Sequence, residues 1–135
     1  MSRSKKNNGP VFTDWTFNQE KFYFMGRGFD IDAAKRILSA KPRPIGTINP
    51  EDLRGLIIPR GVKFAMGVEI DYAKIDAGIE ITRVPVIVGM VKGNSGKSFP
   101  LLIDGWHRVA AALEQSISPL PCVVLTARET KQIEI

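Results

Sequence analysis

Apolar residues in the second half of this chain gather into short runs separated by polar punctuation. Residues 84–91, VPVIVGMV, are almost continuously apolar and largely β-branched, bounded by Arg83 and Lys92. Such a run predicts a strand buried on both faces. KGNSGKSF at 92–99 is a polar, glycine-containing loop, and PLLID at 100–104 is a second strand. Over 106–116 the spacing changes: Trp106, Val109, Ala110 and Leu113 recur at i, i+3, i+4 and i+7, the stripe of a core-facing helix. After Ser118-Pro119, LPCVVLT reads as a third buried strand. The C-terminal half is therefore strand, loop, strand, helix, strand.

The N-terminal half is patterned differently. Residues 11–29 are rich in aromatics and predict a strand or hairpin ending in the Gly26-Arg27-Gly28 turn. Their rings serve either core packing or a protein partner that contacts residues 12–29. Asp30 is placed to cap a helix over 31–40 whose stripe is Ile31, Ala34, Ile37 and Leu38. The prolines of Lys41-Pro42-Arg43-Pro44 stop it. Asn49, Pro50 and Glu51 supply a cap, an N1 proline and an early acid for a short helix to about Arg54. Residues 62–72 read as extended.

Composition bounds the class. A chain of 135 residues with 44% hydrophobic and 24% charged content suits one soluble α/β (α+β) domain. The expected organisation is a flexible basic tail over 1–10 and a single domain over 11–135, with 11–60 divergent and 61–135 the core. No apolar run approaches the roughly 20 residues of a membrane helix, and no secretory signal follows the basic start. Cys122 is the single cysteine, so no internal disulfide forms, and cysteine and histidine are too few for a zinc site. A cytoplasmic setting with no membrane and no resident metal is the expectation.

The formal net charge is +5. Arg3, Lys5 and Lys6 sit in an acid-free start, leaving the body at only about +2. A basic tail adds non-specific affinity for DNA, or simply solubility.

GNSGKS at 93–98 is a false phosphate loop. The residue five places before Gly96 is Val91 rather than glycine, and Phe99-Pro100 and a strand follow instead of a helix. The joint LLIDGWHR is better suited to anions. A strand that runs through glycine into a helix presents unpaired N–H groups and the positive end of the helix dipole. Gly105 lets oxyanions approach the backbone, while His107, the only histidine, and Arg108 can donate to them. Asp104 can cap the helix, hold Arg108, or help bind a metal carried by a nucleotide. Trp106 is either a core anchor or a surface for stacking a base.

These residues resemble the ParB/sulfiredoxin superfamily over roughly 70–126: VPVIV, a loop, LLIDGWHRVAAAL, then LPCVVL. Gly105, His107 and Arg108 match the sulfiredoxin Gly-Cys-His-Arg motif, and Gly105 and Arg108 match the ParB Gly-Glu-Arg-Arg motif. GIEITRVPVIV, with Gly78 and Pro85, is similar to the upstream segment bordering the nucleotide. The resemblance implies a small mixed sheet with flanking helices, and nucleotide phosphates held by Gly105, Trp106, His107 and Arg108. ATP or CTP with Mg²⁺ is the implied ligand. Trp106 stands where sulfiredoxin has its catalytic cysteine, so that reductase chemistry is excluded, and Cys122 reads as a buried structural thiol. The ParB glutamate is absent, as is any helix-turn-helix after residue 126.

Three functions follow from this reading. The first is a nucleotide-binding protein, with nucleotidase, nuclease or kinase chemistry in which Asp104 and His107 are catalytic. Asp71, Asp76 and Glu80 are further carboxylates able to activate water. The second is a non-catalytic regulatory or interaction protein of the kind carried by plasmids and phages. The third is a non-specific DNA-binding protein.

Overall fold

In the computed structural model, residues 9–63 and 65–135 are described. The expected basic tail falls almost wholly outside them. Strands β1 (Lys21–Phe24) and β2 (Arg27–Asp30) form an antiparallel hairpin that runs directly into α1 (Ile31–Ala40). Strand β3 (Gly46–Ile48) and a 3₁₀ helix (Pro50–Leu56) follow, then the short α2 (Tyr72–Asp76). The C-terminal half is β4 (Val86–Lys92), β5 (Ser98–Asp104), α3 (Trp106–Gln115), β6 (Leu120–Val124) and α4 (Ala127–Ile133).

The chain is thus mixed α/β. One four-stranded sheet has the order β3-β6-β4-β5, with β4 parallel to β6 and antiparallel to β5, and β3 antiparallel to β6. Both faces are covered, which is why VPVIVGMV carries almost no polar residue. Val86 and Val88 point into a cluster with Trp106, Val109 and Leu120 beneath α3. Ile87 and Val91 point the other way, to Leu38 of α1 and Ile133 of α4. Pro100, which cannot donate to a ladder, is accommodated because β5 is an edge strand.

Several local signals operate as read. Asp30 accepts the N–H of Ala33 at 3.1 Å, and α1 ends before the prolines. Asn49 caps the segment at Pro50, whose helix is of the tighter 3₁₀ type and runs two residues further than expected. The 92–99 loop is shorter than read, since β4 keeps Lys92 and β5 takes Ser98 and Phe99. No helix follows it, in accord with the rejection of a phosphate loop.

Three expectations are corrected. The hairpin turns at Met25-Gly26, both with positive φ (52° and 80°), and Gly28 pairs with Tyr23 inside the ladder. Two consecutive positive φ values match the strand twist, which a turn centred on Arg27 would not. Residues 62–72 are mostly irregular; the only strand-like pairing among their described residues is Val68 with Ile57, and Tyr72 begins α2. Residues 126–133 hold the unexpected α4, opened by a capping box between Thr126 and Glu129. Thr130 secures α4 to the sheet by accepting the N–H of Met90 at 2.9 Å.

Candidate functional site

The β5–α3 joint forms one side of a cavity of about 310 Å³. Asp104, Gly105, Trp106, His107 and Arg108 all border it, as does Glu80. The rest of the lining comes from residues that the sequence reading did not place at the site: Trp15, Thr16, Asn18 and Glu20, Lys35 of α1, and Lys74 of α2.

Glycine at 105 is demanded by the backbone and by its neighbours. Its φ is 112°, and a Cβ there would stand 2.4 Å from Cγ1 of Val86. The space above Gly105 is thus filled by the sheet, which corrects the view that its missing side chain serves ligand approach. Gly105 contributes no capping side chain to α3. By contrast α1, α2 and α4 are capped by Asp30, Asp71 and Thr126. Nor does any acid occupy the first turn of α3. Its first N–H groups, at the positive end of the dipole, therefore have no side-chain acceptor, and the residues that carry them line the cavity.

Arg108 is turned inward. It donates to the carbonyl of Val84 and to Asp104 Oδ2 at 3.3 Å, and its side chain is only 15% exposed. Of the three roles open to Asp104, the structure shows it holding Arg108. Burial pushes the Asp104 carboxyl up, against the pull of Arg108 and Lys35, and burial likewise lowers Arg108. In both groups desolvation outweighs attraction, so the pair positions the joint more than it stabilises it.

His107 is also engaged. Its Nε2 accepts the backbone N–H of Asp71 at 3.0 Å, which leaves Nδ1 as the protonated nitrogen of the neutral ring. Burial, and then Lys74, hold its pKa below the ordinary 6.5. A ring fixed in this way offers a donor at Nδ1, not a free basic nitrogen. Trp106 is the core anchor of its two readings: it is 5% exposed, stacks on Phe22, and donates Nε1 to Leu102 O at 2.8 Å.

Asp71 caps α2 and holds His107 through its backbone, while Asp76 is drawn away into a bidentate pair with Arg60, which also binds Glu114. Of the carboxylates proposed for water activation, only Asp104 and Glu80 border the cavity. Cys122 lies buried in β6, and burial raises its thiol.

Lys35 is the principal residue missed. It is 5% exposed and donates to Thr16 O at 2.7 Å, with Glu20 4.0 Å away. One turn before it, Asp32 accepts the N–H groups of Asn18 and Gln19 at 3.2 and 3.0 Å. Together they hold residues 16–19 as a strap over the cavity. A signal existed: position 35 lies between Ile31 and Leu38 on the apolar stripe, where a lysine is out of place unless partnered. The aromatics of 12–29 divide, with Trp15 and Phe29 in the core and Phe17 and Tyr23 exposed.

No protein-family model matches this chain, and no curated protein matches it. Among the described residues no helix is long and apolar enough to cross a membrane, and no group of three or more His, Cys, Asp or Glu is placed to hold a metal.

Proposed function

We propose that this chain is a ParB/sulfiredoxin-like nucleotide-binding protein that holds phosphates at the N-terminus of α3. One observation carries the reading: the only helix among the described α-helices without a side-chain cap opens into a cavity flanked by Lys35 and Lys74. Orphan N–H groups, a helix dipole and two ammonium groups are an anion's surroundings. His107 Nδ1 adds a donor, and Arg108 shapes the floor by fixing Val84 and Asp104. The order β4–β5–α3–β6, with Gly105-Trp106-His107-Arg108 at the joint, supports the family resemblance.

A cavity of about 310 Å³ is at the small end for ligand sites. It suits the phosphates, with the sugar and base toward the open rim. ATP or CTP would bring Mg²⁺ with it, since the rim carboxylates Glu20 and Glu80 form no metal cage. The site is read as a binding site; hydrolysis would need Glu80 as base, because His107 and Asp104 are already engaged.

Calorimetric titration of ATP and of CTP with Mg²⁺ into wild type and Lys74→Glu tests this. Saturable binding that weakens tenfold or more in the folded variant is expected. No binding of either nucleotide, or equal binding by the variant, overturns it. Chromatography of the same mixtures shows whether diphosphate accumulates.

A further inference from the structure

On the side of the sheet covered by α1 and α4 lies a surface that shares no residue with the cavity. We propose that it binds the backbone of duplex nucleic acid. The two acids of α4 and its end are already consumed from below. Glu129, its side chain 11% exposed, takes both terminal nitrogens of Arg43, and Glu134 takes Nε and Nη2 of Arg27 at 2.8 and 2.9 Å. Arg27 also donates to Lys92 O at 2.8 Å, fastening the end of β4 to the end of the chain. Both carboxylates line the grooves, but each is paired with an arginine, so the unpaired charges lining the two grooves are all positive.

Lys41, Lys92, Arg128 and Lys131 are exposed, and none has an ion-pair partner among the described residues. Their grouping is spatial. Lys92, Arg128 and Lys131 border one groove of about 470 Å³, Lys41, Arg43 and Arg128 border a second of about 760 Å³, and Arg128 forms the ridge between them. Cations set along two adjoining grooves match the spaced charges of a phosphate backbone. Neither groove is lined by an aromatic residue. That disfavours single strands, which bind by base stacking, and bilayers, where aromatic side chains anchor a surface. What remains is contact with phosphates and no reading of bases.

The test is fluorescence anisotropy of a labelled 25-base-pair duplex with the full chain across a salt series. Four phosphate contacts predict a slope of log K against log salt of about −3.6. Arg128→Glu with Lys131→Glu should weaken binding at least tenfold and flatten that slope. The milder Lys41→Ala with Lys92→Ala pair, checked by circular dichroism, should weaken it in the same direction. Reversing Lys21 and Lys63, exposed cations elsewhere, should change it less than twofold, and Lys74→Glu should leave it intact. Absence of binding at low salt overturns the proposal. So does equal loss in the Lys21 and Lys63 control, unchanged binding in both α4-face variants, or tighter binding to phosphatidylserine vesicles than to DNA.

Discussion

The backbone N–H of Asp71 donates to Nε2 of His107 at 3.0 Å, tying the start of α2 to the start of α3 across 36 positions. This bond exists only while the ring is neutral. Burial and Lys74 lower the His107 pKa, so the folded state prefers the neutral ring more than the unfolded chain does. Below about pH 6.5 the unfolded chain binds the extra proton first. Stability is therefore full above that pH and is lost on acidification, until the folded ring itself protonates. NMR titration should give His107 a midpoint under 6.5, and His107→Asn should remove this part of the pH dependence of the melting temperature.

Gly105 tests how tightly the joint is built. Gly105→Ala combines a forbidden φ with a clash on Val86, and should cost about 3 kcal/mol in urea unfolding. In a Val86→Ala background the same change should cost less, because only the backbone part remains. Equal costs in both backgrounds would mean that the contact with Val86 has no energetic weight.

Arg108→Ala should act on the fold before it acts on any ligand. It strips Val84 O of a donor and leaves Asp104 half-stranded, at a cost of about 2 kcal/mol. Asp104→Asn in the same chain should recover part of that loss, since a neutral amide tolerates burial without its cation. A denaturation cycle over the two single variants and the double variant measures the coupling.

The strap over residues 16–19 hangs on two side chains of α1. Asp32→Ala leaves two N–H groups without acceptors and should destabilise by about 2 kcal/mol. Hydrogen exchange should accelerate at Asn18 and Gln19 while the β4 amides stay protected. Lys35→Met, which keeps the packing but removes the donor to Thr16, should lower nucleotide affinity with little change in global stability.

Local chemistry accounts for what could be read before folding. Asp30, Pro42 and Pro44 bound α1 through hydrogen bonds made or denied within a few residues, and VPVIVGMV declares a strand buried on both faces by having no polar face. Asp104 to Arg108 were legible as a candidate site for the same reason, being contiguous at a strand-to-helix joint. Thr126 and Glu129 carried a readable cap, yet α4 escaped notice. Seven residues without an apolar stripe hold a helix only once Thr130 and Ile133 dock on the sheet.

The sequence by itself determined β4, β5, α3 and β6, the cap of α1 and the place of the joint, because each rests on interactions a few residues long. Only the tertiary structure decided that Arg108 and His107 face inward to Val84 and Asp71, that Asp76 belongs to Arg60, and that Trp15, Lys35 and Lys74 complete the cavity. Those partners lie many residues apart, and their pairing depends on how α1, α2 and α3 pack around the sheet.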